Sequence, residues 1–419
     1  MKYFPSLLPS LNSRNGLPGP FRGIILVVLL AAWLLAVPTL AQSEDMPRQE
    51  RKALHRAQKH LSKNGPQECL SLLRKYREKH GEPESALFYL VLGNAHYSAK
   101  ELGKAKKAYS NGVEKAPEHP TLLHNLASVC LQNGKALKAG RYYRRAFEAT
   151  DEPKPELLYQ AGAAFYRAKA FDRALIALND LFARAEEVQP AWAELMVSTC
   201  LESEQWARAK DVLNQLLEKY PEQRRYWRLL AHVRLKREEY RKAACALEIA
   251  YKLESPDPSG WKDLANIYAS IDALLQAARA MEKACGDSCS IEENKRLARL
   301  YSRACRYERA ISSLDRALEH SASAALYLEK GRLCYRAGRF EAARSALRES
   351  LELAPDRHEA RLWLGYTAWQ LRDWDLAKRC FARVPDDTDV AEQAQNGLRS
   401  VLAVLEANTT RSSMARKGG

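Results

Sequence analysis

Residues 324–357 read AALYLEKGRLCYRAGRFEAARSALRESLELAPDR. Tyr327, Gly331, Gly338, Phe340, Ala343, Leu347 and Pro355 punctuate the stretch, and Ala343 belongs to a series that runs through most of the chain. Ala105, Ala139, Ala174, Ala209, Ala243, Ala277, Ala310, Ala343 and Ala377 follow one another at steps of 34, 35, 35, 34, 34, 33, 33 and 34 residues. Nine alanines in register cannot be an accident of composition. A fixed period of this length is the mark of a repeat architecture.

Other positions keep the same step. A small residue stands twelve before most of the alanines: Gly93, Ala127, Gly162, Ala231, Ala265, Ala298, Gly331 and Gly365. A large apolar residue stands four after each, from Tyr109 and Tyr143 to Leu347 and Phe381. Pro117, Pro221 and Pro355 stand twelve after. Apolar residues at i, i+3, i+4 and i+7 make each unit a helix pair. Small residues let the two helices approach, and the bulky one fills the gap between units. Proline ends the second helix and tolerates the start of the next. One pair cannot bury its apolar face alone, so neighbours must stack.

These positions resemble the tetratricopeptide repeat. Units start near 86, 120, 155, 190, 224, 258, 291, 324 and 358, with a degenerate first helix pair over 51–85. Trp227 and Trp261 take the family's tryptophan position, while Val197 departs from the small residue that is expected there. The resemblance implies an all-α fold: a right-handed superhelical solenoid of about nine to ten helix pairs with a concave groove. Residues 388–407 read as a closing helix overlapping the end of the last unit at 391, with Val390, Ala394, Leu398, Val401 and Leu405 on one side. Residues 408–419 read as a disordered basic tail.

The 419 residues are 46% apolar and 28% charged, with Gly 19 and Pro 18, which excludes a polytopic membrane protein and a turn-rich β sandwich. Lys+Arg 66 against Asp+Glu 51 leaves +15, a surplus that favours acidic partners and says nothing of the fold. Residues 1–41 read as a secretory signal peptide. Lys2, Arg14 and Arg22 precede the apolar run Gly23–Val37, and small residues precede a cut after Ala41. The alternative is an uncleaved N-terminal anchor. Residues 42–50 read as a flexible linker. The location expected is periplasmic or secreted.

All nine cysteines follow the leader, and they show no CxxC pair and no matching histidine spacing for zinc. Cys285 and Cys289 are the one pair close enough for a local bridge, against two reduced loop thiols. The others read as small core residues. No Gly-rich phosphate loop, GxSxG or HExxH is present, so the reading is a non-enzymatic chain without cofactor or metal. His55, His60, His80 and His119 read as solvated, as do the pairs Glu238-Glu239 and Glu292-Glu293.

In the resembled family the groove is lined by the first helix of each unit, at its second, fifth, ninth and twelfth positions. The first four units supply Leu90, Asn94, His124, Ser128, Tyr159, Ala163, Glu194 and Ser198 there, with Tyr97 and Tyr166 at twelfth positions. Units five to eight supply Arg228, His232, Lys262, Asn266, Lys295, Arg299, Leu328 and Arg332. The second set carries a stripe of five fixed positive charges, expected to draw an acidic peptide, with solubility as the competing explanation. Lys262 and Asn266 match half of the carboxylate clamp of some chaperone-binding members. Arg296, Ala325 and Glu329 hold the places where the other half needs Asn, Lys and Arg, so the clamp does not carry over. The function expected is a scaffold or adaptor for a protein or peptide partner, serving an envelope assembly such as TonB-type uptake, pilus or polysaccharide secretion. An acidic-polymer binder and an anchored regulator are the alternatives. No small-molecule substrate is expected, export argues against nucleic acid, and a membrane enters only if the leader is kept.

Overall fold

A computed structural model describes residues 46–417 apart from Asn64, Glu152, Pro153 and Asp287, with side chains up to Asn408. The expected leader at 1–41 lies outside the described residues. Every regular element among the described residues is a helix, in the order α1 Arg48–Leu61, α2 Pro66–His80, α3 Ala86–Ser98, α4 Leu102–Lys115, α5 Pro120–Gln132, α6 Ala136–Glu148, α7 Pro155–Arg167, α8 Phe171–Arg184, α9 Pro190–Glu202, α10 Trp206–Lys219, α11 Arg224–Lys236, α12 Tyr240–Leu253, α13 Pro258–Ser270, α14 Leu274–Cys285, α15 Ile291–Arg303, α16 Tyr307–His320, α17 Ala324–Arg336, α18 Phe340–Leu353, α19 His358–Gln370, α20 Trp374–Ala382 and α21 Ala391–Lys417. The chain divides into two compact units, one ending at Glu239 and one starting at Tyr240. Within each, helices pack on their neighbours in chain order.

The alanine ladder explains the packing. All nine ladder alanines have no accessible surface, and the large residues four positions on are buried with them. Gly93, Gly162, Gly331 and Gly365 each face the large residue sixteen positions later. A Cβ added to Gly331 would lie 2.6 Å from the Leu347 side chain, and one added to Gly365 would lie 2.6 Å from the Phe381 ring. The pattern of small then large is therefore a contact map between the two helices of a unit. Pro120, Pro155, Pro190 and Pro258 each occupy a first helical position, where the missing N–H costs nothing. Ser85, Ser290, Ser323 and Asp373 cap other helices through their side-chain oxygens, and Asp257 caps the helix that starts at Pro258.

The turn inside each unit repeats as well. Lys100, Gly134, Lys169, Glu204, Glu238, Asp272, Cys305, Gly338 and Arg372 all have positive φ, each five residues before a ladder alanine. At each one two backbone bonds close the preceding helix. The Glu101 N–H donates to His96 O at 2.9 Å and the Lys100 N–H to Tyr97 O at 2.9 Å, and Arg339 to Cys334 O and Gly338 to Tyr335 O repeat them. This is a Schellman closure, for which glycine is the unstrained residue. Only two of the nine positions hold one.

Two stretches differ from expectation. The expected linker at 42–50 already carries structure: α1 begins at Arg48, and Met46 and Glu50 are buried. The Glu50 carboxylate accepts the backbone N–H groups of Glu84 and Ser85, both at 3.2 Å, and the Ser85 hydroxyl. It thereby fixes the start of α3 from 34 residues upstream. The closing helix spans Ala391–Lys417, through the expected disordered tail, because nothing before Gly418 breaks it. Ala394, Leu398, Val401 and Leu405 cover Phe381, Tyr366 and Trp369, and Gly397 lets the helix lie against the Phe381 ring.

Candidate functional site

In the unit ending at Glu239, the first-helix positions are joined by amides and hydroxyls. Tyr109 Oη donates to Asn94 Oδ1 at 2.7 Å, and Asn125 Nδ2 donates to the same oxygen at 3.0 Å. Ser128 Oγ and Tyr143 Oη share a bond of 2.9 Å. Glu194 accepts from Tyr226 Oη at 2.6 Å and pairs with Arg225. The three tyrosines expected to line the groove are half-buried, Tyr97 and Tyr166 against one core cluster and Tyr159 and Tyr166 against the next. Tyr97 accepts a bond from Gln132, Tyr159 lies 6.4 Å from the Trp192 ring, and Tyr166 lies 5.7 Å from Phe171. Burial raises the Tyr166 hydroxyl to about 12. Arg228 is half-buried on α11. His232 packs edge-on to Trp206 at 6.2 Å, and burial, with Lys236 nearby, lowers its pKa. Trp227 is a packing residue whose Nε1 donates to Pro221 O at 2.7 Å.

In the unit starting at Tyr240, the expected positive stripe is largely neutralised. Lys262 pairs with Glu293 at 2.6 Å, Lys295 with Glu292 at 2.8 Å, and Arg332 with Glu359 at 2.8 Å. Asn266 accepts from Arg296, and Arg299 stays exposed. The acids come from the first turns of α15 and α19, where carboxylates also suit the helix dipole. Glu293 is no solvated residue. It completes a capping box with Ser290, and the hydrogen bonds from Lys262 and the Ser290 backbone hold its carboxyl down to about 2. Glu239 likewise pairs with Arg237 at 2.7 Å, and His119, read as solvated, caps α5 instead.

Several partners on neighbouring repeats share a spacing. Asn94 to Asn125 and Asp272 to Arg303 are separations of 31 residues, and Asn266 to Arg296 is 30. Stacked repeats offset by about one helical turn bring residues one turn short of the period side by side. Same-position comparison misses them, whereas a search at the period minus three would have found them.

The ninth unit, whose lining positions were not read from sequence, adds aromatic residues. Its second, fifth, ninth and twelfth positions are Glu359, Leu362, Tyr366 and Trp369. Half-buried Tyr335, Trp363 and Tyr366 form an edge-to-face row, with ring separations of 5.3 Å and 5.9 Å, and Arg332 lies over Trp363 at 5.3 Å.

Cys285 and Cys289 are joined in a disulfide with Cα atoms 4.8 Å apart, just before the Ser290 cap. Cys69, Cys130, Cys200, Cys334 and Cys380 are buried, whereas Cys245 and Cys305 are exposed and not core residues. A cavity of about 700 Å³ between α2, α3 and α4 is lined by acids and bases that pair with each other, among them His96 with Glu101 at 2.6 Å and Lys104 with Glu101 at 3.0 Å. Among the described residues no cluster of His, Cys, Asp and Glu could hold a metal, and no helix is long and apolar enough to cross a membrane.

One tetratricopeptide-repeat family model matches residues 90–153, 200–258 and 295–358, and a second matches 335–401. Together they cover more than half of the chain. A curated relative, an uncharacterized protein of Aquifex aeolicus (strain VF5), is 26% identical over 169 residues, which are 38% of this chain and 22% of the relative. The chain thus spans about a fifth of that relative's length. Similar solved structures include a tetratricopeptide repeat protein from Parabacteroides merdae ATCC 43184, 16% identical over 61% of this chain and 100% of that one, with a TM-score of 0.36. Yeast Tom70 is 13% identical over 88% of this chain and 98% of its own, with a TM-score of 0.32. YrrB, described as a TPR protein with an unusual peptide-binding site, is 18% identical over 45% and 95%, with a TM-score of 0.37. With the buried alanine ladder and the matched residues together, the chain belongs to the tetratricopeptide-repeat family.

Proposed function

We propose that the protein is an exported, non-enzymatic scaffold that holds a protein partner on its first-helix face. The observation that carries this reading is the half-buried aromatic row Tyr335, Trp363 and Tyr366 with Arg332 stacked above it. Aromatic and arginine side chains that are already ordered bring large contact area at low entropic cost, and they dominate binding hot spots. The leader at 1–41 supports an envelope or secreted location, and an assembly of the cell envelope is the setting that fits a scaffold with such an address. The acidic-polymer alternative has weaker support, because Lys262, Lys295 and Arg332 are each paired with a glutamate.

The test is cross-linking and capture from an envelope extract with the full chain and with the double variant Tyr335→Ala, Trp363→Ala. Loss of a partner that wild type enriches, at unchanged helicity, supports the reading. Capture that both proteins share would reject it. Mass measurement of the exported chain's N-terminus decides between a cut after Ala41 and a retained anchor.

A further inference from the structure

In the unit starting at Tyr240, the seams between repeats carry an acid until Arg348. Five residues after each ladder alanine, the second helix faces the next repeat. In the unit starting at Tyr240 that position is acidic at Glu282 and Asp315, and each acid is used. Glu282 accepts from Tyr301 Oη at 2.6 Å, and Asp315 pairs with Lys330 at 2.6 Å. At the next seam the position holds Arg348 on α18, and α19 brings another cation, Arg361, to the same seam. Arg379 and Arg383 follow one turn apart at the end of α20. Leu347, Ala360 and Cys380, the chain neighbours of Arg348, Arg361 and Arg379, share one core cluster, and Arg361 reaches the Arg383 carbonyl, so the four arginines flank the same seam.

None of these guanidinium groups meets a carboxylate in an ion pair among the described residues. Arg361 spends its N–H groups on backbone: Pro355 O at 2.6 Å and Arg383 O at 3.2 Å, with His358 Nδ1 at 3.4 Å. Arg348, Arg379 and Arg383 are exposed. Glu349 beside Arg348, Glu352 a turn from it and Asp375 a turn from Arg379 form no ion pair with these arginines, and Asp386 accepts from Gln395 at 2.7 Å. Like charges gathered at a seam repel, and each preceding seam of this unit avoids that cost with an acid.

We propose that Arg348, Arg379 and Arg383, braced by Arg361, form a docking site for an acidic polypeptide segment of the protein partner. This rests on the scaffold reading and moves the acid-recognising surface away from the first-helix stripe, whose charges are already paired. A run of carboxylates suits the geometry better than one compact oxyanion. The exposed arginines stand on two separate helices, and Arg361 is committed to two carbonyls, so the four cannot close around a single phosphate.

The experiment measures binding of a fluorescently labelled oligo-glutamate peptide to the full chain by anisotropy at low and at physiological ionic strength. The variant Arg348→Gln, Arg379→Gln, Arg383→Gln is compared with Lys75→Gln, Lys79→Gln, Lys107→Gln, which removes the same charge from exposed lysines elsewhere. The arginine variant is expected to bind about tenfold or more weakly and the lysine variant within about twofold of wild type, with the difference shrinking as salt is added. Equal losses in both variants would make the effect one of net charge and overturn the site. So would displacement of the peptide by inorganic phosphate at equal charge, or by phosphatidylglycerol vesicles. Matching circular-dichroism melts exclude unfolding as the cause. If the arginine variant keeps peptide binding while the Tyr335 and Trp363 variant loses the captured partner, this inference fails and the scaffold reading stands. If the arginine variant loses peptide binding while the aromatic variant captures as wild type does, the arginine site stands and the aromatic face is not where the partner is held.

Discussion

The two compact units are built from the same helix pair but joined differently. Up to Glu239 the contacts between repeats mix neutral bonds, Asn125 on Asn94 and Gln132 on Tyr97, with ion pairs, Arg144 with Asp180, Lys219 with Glu187 and Arg225 with Glu194. From Tyr240 onward they are mostly ionic: Lys262 with Glu293, Arg303 with Asp272 at 2.8 Å, Lys330 with Asp315, and Arg339 with Glu308 at 2.9 Å. The buried ladder therefore sets the architecture, while the polar residues between repeats are free to differ. Exposed ion pairs contribute little each, and salt weakens them. Neutral bonds that reach into buried sites are costly to break, because a partner is left unpaired.

The largest expected effect tests the shared part. Ala139→Leu in the first unit and Ala343→Leu in the second should each cost about 1–3 kcal/mol by overpacking a helix pair. Denaturant melts that show the cost in one unit only would break the claim that both rest on one ladder. Next comes the neutral contact. Asn94→Ala leaves the Tyr109 hydroxyl without its acceptor and should cost about 1–2 kcal/mol, unaffected by salt. Arg303→Gln together with Arg339→Gln should cost under about 1 kcal/mol, and that cost should vanish in high salt. A larger loss, or one indifferent to salt, would erase the distinction between neutral and ionic contacts.

Acid sharpens the same comparison. The Glu293 carboxyl titrates near 2 in the folded chain, below the value of about 4.3 for a free glutamate. Its contribution is therefore complete above the unfolded value and is lost as pH falls from there toward the folded one. Thermal melts between pH 5 and pH 2 should decline less steeply in Glu293→Gln than in wild type. Parallel declines would deny the Lys262 bond its role. The smallest effect concerns the turns. Lys169 has a φ of 57°, and Lys169→Gly should stabilise by about 0.5 kcal/mol, since relief of strain is partly offset by the entropy of glycine. A loss of stability on urea unfolding would contradict it.

Several features are readable from spacing for a physical reason. The small residue and the bulky residue sixteen places later must touch wherever two helices of fixed pitch run antiparallel, so spacing alone names the pair Gly331 and Leu347. The Glu50 bond to the start of α3 leaves no such trace, since it joins an irregular stretch to a cap and belongs to no period. The turn residues are hidden for another reason. Backbone closure imposes the left-handed conformation, and lysine, glutamate, aspartate and arginine accept it without advertising it. The cancellation of the positive stripe is invisible when charges are read helix by helix, because the partners of Lys262 and Arg332 sit on the next repeat.

The sequence by itself determined the brick, its register, the helix starts marked by proline and the residues that fill each pair, because helical pitch and burial act on local spacing. Only the tertiary structure decided which charges survive. Lys262 and Arg332 are cancelled across a seam, whereas Arg348, Arg379 and Arg383 are not. Whether two ionic groups meet depends on the offset between stacked repeats, and that offset is a property of the packed core rather than of any one segment.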